Sequence, residues 1–149
     1  MDDDGTIQLT DFGYSRIRHH ERRSLSCART GGKWRYAAPE LANDGEQGWT
    51  TEASDIYSLA LTYLELATLE RPFPDKNDCG VTSMVQRGGR PAKPLKTRLL
   101  NEEQTARLWS LLEEMWDHDP TRRPAIAHVE CMLKTSMSPS FPRKSLRPG

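Results

Sequence analysis

The spacing of apolar residues changes period along the chain, and each change marks a different element. Thr6-Ile7-Gln8-Leu9-Thr10 alternates polar and apolar side chains, which predicts a short strand with one buried face. Asp4-Gly5 in front of it is a hairpin-turn dipeptide, so the strand is expected to be the remnant of a β hairpin whose first strand is absent from this chain. Between residues 51 and 69 the pattern becomes helical: Ala53, Ile56, Tyr57, Leu59, Ala60, Leu61, Tyr63, Leu64, Leu66 and Ala67 place apolar groups nearly all round. Such a helix is expected to be a central pillar buried on most sides. Asn101 and Gln104 make a capping-box start for a helix that buries the stripe Leu108, Leu111, Leu112 and Met115. Pro124 suits the first turn of a last helix, with Ile126, Val129 and Leu133 on its inner face and its end near Thr135. The fold class expected from these periods is mainly α.

Composition narrows the setting. The 149 residues have the length of one ordinary domain, and Lys+Arg and Asp+Glu both number 21, so no general attraction to nucleic acid or to an acidic membrane is expected. Cys27, Cys79 and Cys131 are far apart and odd in number, which suggests neither a disulfide framework nor a zinc site. The first fifteen residues are acidic, and no segment has the length to span a bilayer. A soluble protein of the cytoplasm or nucleus is expected. From Ser136 onward Ser, Pro, Arg and Lys dominate, which predicts a disordered tail over 136–149 after a domain over 1–135.

The candidate chemistry lies in the first third. Asp11-Phe12-Gly13 is followed, 27 positions after Asp11, by Ala38-Pro39-Glu40, and a polar loop bearing Ser and Thr runs between them. Gly32-Lys33-Trp34-Arg35-Tyr36 leads into the second tripeptide; Asp55-Ile56-Tyr57-Ser58-Leu59-Ala60 opens the central helix. Arg71-Pro72-Phe73 and the run Met115-Trp116-Asp117-His118-Asp119-Pro120-Thr121-Arg122-Arg123-Pro124 come later. In these motifs and in their order, residues 5–134 resemble the C-terminal lobe of a eukaryotic protein kinase. Trp116 before the Asp-Pro-x-x-Arg-Arg-Pro run is similar to the tyrosine-kinase and tyrosine-kinase-like branches.

The resemblance implies roles residue by residue. Asp11 would offer a hard oxygen to Mg²⁺ bridging the phosphates of ATP, with Phe12 and Gly13 completing the cofactor-binding turn; an aspartate that merely caps a turn is the alternative. Gly32, Lys33, Trp34, Arg35 and Tyr36 would form the substrate-docking loop. Glu40 and Arg123 would be a buried ion pair, and Asp55 would take backbone amides of the catalytic loop as donors, all three being structural. Ser24, Ser26 and Thr30 lie among Arg16, Arg18, Arg22, Arg23 and Arg29, where a phosphate would meet guanidinium groups and order the loop; simple solvation is the alternative. His118 and His128 read as solvated helix-end residues.

The family activity is ATP-dependent phosphorylation of protein Ser/Thr, with Tyr the lesser alternative. It depends on a glycine-rich lid, a strand lysine and a His-Arg-Asp…Asn loop. None of the three occurs in these 149 residues, and His19-His20-Glu21-Arg22-Arg23 follows Asp11 and lacks the acid. The chain reads as a truncated lobe, inactive alone, whose partners are a protein substrate and the missing upstream segment. A noncatalytic binding or regulatory module of pseudokinase type is the alternative.

Overall fold

A computed structural model describes residues 33–42, 50–94, 97 and 100–137. The expected strand 6–10 and the tail beyond Met137 lie outside them. Four α-helices carry the fold: α1 (Glu52–Thr68), α2 (Asp78–Gln86), α3 (Glu102–Met115) and α4 (Ile126–Met137). Short 3₁₀ turns at Lys33–Tyr36 and Pro39–Ala42 precede α1, and a third at Pro120–Arg122 lies between α3 and α4. The described part is thus mainly helical, as the apolar periods require.

Local chemistry sets the helix ends. Thr51 and Ser54 form a reciprocal capping box at the start of α1, each side-chain oxygen accepting the other's backbone N–H. Asn77 caps α2 through the amide of Gly80, and Asn101 with Gln104 makes the expected box on α3. α1 ends on Leu69, which adopts a left-handed φ of 59° while its N–H returns to the carbonyl of Glu65. A side chain there is strained, and glycine is the usual occupant. The turn after α2 uses glycine: Gly88 has φ 85°.

The core forms where one side of α1 meets α3, α2 and the 3₁₀ turns. Ile56, Tyr57, Ala60, Leu61, Leu64 and Ala67 pack with Leu108, Leu111, Leu112 and Met115, with Val81 and Val85, and with Val129. Trp109 and Trp116 meet edge to face at 5.3 Å on the α3 side. The α3 stripe is the one that its sequence period predicts.

Two expectations are corrected. α1 is buried on one broad side only: Leu66 is 55% exposed, Leu59 and Tyr63 are half-buried, and Asp55 and Thr62 are exposed. Leu59 and Tyr63 still pack against the edge of the core, and Leu66 is left open to solvent among the described residues. α4 starts at Ile126, after Pro124 rather than around it, because the Ala125 carbonyl accepts the first helical bonds from His128 and Val129. Ile126 therefore falls on the outer side at 59% exposed, and Val129 with partly buried Leu133 makes the inner face.

Tyr57 is the most constrained side chain of the core. It is wholly buried, its hydroxyl has no hydrogen-bond partner, and the guanidiniums of Arg90 and Arg123 lie 5.4 and 5.1 Å from its ring centroid. The ring makes cation–π contacts while the hydroxyl goes unsatisfied. Burial pushes the phenol up to about 12 against the opposing pull of the two arginines. Because the folded pKa lies above the unfolded value of 10.0, the stability this group contributes is complete below pH 10 and is lost as pH rises toward about 12. Tyr57→Phe removes both the orphaned hydroxyl and its titration. We expect it to raise stability by about 1 kcal/mol near neutral pH. In urea melts from pH 8 to 11 its advantage over the parent should widen above pH 10; a constant gap would mean that the phenol is not held protonated.

Candidate functional site

The best-defined site candidate is the segment 33–42. Its two 3₁₀ turns close through bonds from the Ala37 amide to the Trp34 carbonyl at 3.2 Å and from the Leu41 amide to the Ala38 carbonyl at 3.0 Å. Ala38 is fully buried and packs in the core, and Pro39 opens the second turn without needing a partner for an N–H. Ser58 of α1 donates to the Tyr36 carbonyl at 2.9 Å, and the Tyr36 hydroxyl donates to the Glu65 carboxylate one helical stretch further along α1. Burial, then the Glu65 bond and its charge, push the Tyr36 phenol up, and Arg71 works against them.

An ion pair fixes the end of this segment. Arg123 donates from Nη1 and Nη2 to the two carboxylate oxygens of Glu40 at 2.7 and 2.8 Å. Nη1 also donates to the Ala53 carbonyl and Nε to the Asp117 carbonyl, both at 2.9 Å. The Arg123 side chain has 0% exposure and that of Glu40 has 26%, so the charge is desolvated but surrounded by acceptors. The fork geometry of guanidinium suits this arrangement, which a lysine could not reproduce.

The structure redistributes the residues expected to dock substrate. Trp34 and Arg35 are each 6% exposed and point inward; Arg35 grips carbonyls of the α1–α2 connection instead of facing solvent. Periodicity gives no warning of this, because an arginine in a polar loop is ordinarily solvated. Tyr36 is half-buried, and Lys33 opens the first turn. Asp55 is exposed rather than buried among donors, and its carboxyl is pushed up by partial desolvation and then by Glu52. The donors that the resemblance implies for Asp55 belong to the catalytic loop, which does not occur in these 149 residues.

Asp11, Phe12, Gly13, Ser24, Ser26, Thr30 and Gly32 lie outside the described residues. Among the described residues no group of three or more His, Cys, Asp or Glu side chains could hold a metal ion, so a Mg²⁺ role rests on Asp11 and on resemblance. His118 and His128 are exposed, the former 3.5 Å from Arg90 and the latter 3.9 Å from Glu114. Cys79 and Cys131 are exposed and unbridged. No helix among the described residues is long and apolar enough to cross a membrane.

The pair Glu40–Arg123 supplies a direct test of the segment's anchoring. Glu40→Ala and Arg123→Ala should each destabilise the fold, Arg123→Ala more because it also abandons two carbonyls and the Tyr57 ring. A double-mutant cycle read by urea melts is expected to give a coupling of roughly 1–3 kcal/mol. Additive losses would show that the two side chains do not interact.

Comparison with known proteins places this geometry. A family described as protein tyrosine and serine/threonine kinase matches residues 1–133. Over 138 residues the chain is 30% identical to the probable serine/threonine-protein kinase drkD of Dictyostelium discoideum, covering 93% of this chain and 10% of that protein. It is 30% identical over 138 residues to the serine/threonine-protein kinase CTR1 of Arabidopsis thaliana, with 92% and 15% covered. To the receptor-interacting serine/threonine-protein kinase 2 of Bos taurus it is 28% identical over 138 residues, with 90% and 25% covered. The chain therefore spans 10% to 25% of the length of these relatives. A family match running through Asp11-Phe12-Gly13, the anchored segment 33–42 and the helices as far as α4 means that the chain belongs to the protein tyrosine and serine/threonine kinase family.

Proposed function

We propose that the chain is the helical, substrate-docking portion of a protein kinase of the tyrosine-kinase-like group, acting on serine or threonine hydroxyls of proteins in the cytoplasm or nucleus. The observation that carries this reading is the interval from Asp11-Phe12-Gly13 to Ala38-Pro39-Glu40, whose second end is tied to the far helices by the Glu40–Arg123 pair. Serine/threonine selectivity is supported by the names of the three relatives, each a serine/threonine-protein kinase. In this reading ATP supplies the phosphoryl group and Mg²⁺ neutralises its charge, with Asp11 as the metal's carboxylate ligand. Segment 33–42 holds the acceptor peptide.

Phosphoryl transfer is achieved by positioning and charge neutralisation, and one carboxylate cannot supply both. The 149-residue chain by itself is therefore expected to bind ATP·Mg²⁺ with a dissociation constant of about 1 mM or weaker, near −4 kcal/mol, and to transfer no phosphate. Calorimetric titration and a radiolabel transfer assay check both points. Low-micromolar affinity, or transfer abolished by Asp11→Asn, would show that these residues suffice for catalysis. Sequencing the transcript 5′ of the Met1 codon separates the enzyme from a noncatalytic module: in-frame His-Arg-Asp, Asn and strand-lysine codons support the kinase, and stop codons throughout support the module.

A further inference from the structure

Arg35 departs most from what its place in the docking segment suggests. Its guanidinium makes four contacts, all to one stretch of chain 37 to 43 residues away. Nη1 donates to the carbonyls of Pro72 and Phe73, both at 2.8 Å; Nη2 donates to the carbonyl of Lys76 at 2.7 Å and pairs with the Asp78 carboxylate at 2.9 Å. The side chain is 7% exposed, while Nε is buried without a partner. Asp78 is the first residue of α2, and the three carbonyls belong to the α1–α2 connection.

That connection needs an external clamp. Leu69 and Phe73, only four residues apart, both adopt left-handed φ values, 59° and 56°, which side chains other than glycine hold only when their surroundings enforce them. The Arg35 grip falls on Phe73 itself, on Pro72 before it and on Lys76 three residues after it. The same connection, through Glu70–Lys76, forms one wall of a groove of about 400 Å³ whose other wall includes Met84 and Arg90–Pro94. One guanidinium thus joins the docking segment to a strained loop and to a groove wall.

We propose that Arg35 is a positioning residue: it makes no contact with substrate, and it fixes the docking segment and the α1–α2 connection to each other as one rigid body. This rests on the reading of segment 33–42 as the docking segment, and it adds that the placement of that segment is set from residues 72–78. A lysine keeps the charge and reaches Asp78, but a single ammonium cannot serve three carbonyls and a carboxylate spread across a planar fork.

Hydrogen exchange of the intact 149-residue chain tests the coupling without any need for phosphoryl transfer, so an inactive kinase would leave the result interpretable. Arg35→Lys is expected to speed exchange by about tenfold, the scale of one lost charge-assisted hydrogen bond, in amides of both 33–42 and 70–78. Amides of α3 and α4 should keep their protection. A silent substitution would mean that only the ion pair with Asp78 matters. Faster exchange confined to 33–42 would mean that Arg35 holds only its own segment, and a uniform rise over all helices would mean a general stability role. Each of these three overturns the proposal. Should Arg35→Lys fail to fold, Asp78→Asn removes one of the four acceptors and must speed exchange in both segments; an effect in one alone is equally fatal.

Discussion

A buried guanidinium has to be surrounded by acceptors, and that requirement at Arg123 organises the molecule. Removing such a charge from water is costly, and the chain offsets the cost by bringing four acceptors to it: two oxygens of Glu40 and the carbonyls of Ala53 and Asp117. Those groups come from the segment 39–42, from the first turn of α1 and from the end of the α3 region. The Tyr57 ring then packs against the same cation, so the start of α1 lies between segment 39–42 and the turn that precedes α4. Loss of any one partner would leave the charge stranded.

Arg35 repeats the solution at the other end of segment 33–42. Where Arg123 reaches the segment from outside, Arg35 reaches out of it to the connection between α1 and α2. The two cations together clamp ten residues that contain only two short 3₁₀ turns and have little regular hydrogen bonding of their own. A segment with so little regular structure needs this kind of support, because a loop is as rigid as its anchors. Tyr36 adds a third tie through Ser58 and Glu65 on α1.

Helices α1 and α3 and the family were legible in the sequence because they depend on local information. Capping pairs such as Asn101 with Gln104 act within one turn, and the stripe Leu108, Leu111, Leu112 and Met115 faces the core by spacing alone. α4 was misplaced by two residues because Pro124 fits both just inside and just before a helix, and the outcome turns on which carbonyl accepts the first bond. The open side of α1 was misread for a related reason. Leu66 is apolar in any context, and apolarity does not say whether another element lies against it.

By itself, the sequence determined the mainly helical class, the starts of α1 and α3, the family, and the pairing of Glu40 with Arg123, the last through motif order and not through periodicity. Tertiary structure alone decided the surroundings of Arg35 and Tyr57. A charged or hydroxyl side chain carries no local signal of what it meets 20 or 40 residues away, so whether it is solvated, clamped or orphaned follows from the packing. Arg35 turned inward because the carbonyls of Pro72, Phe73 and Lys76 converge on one point.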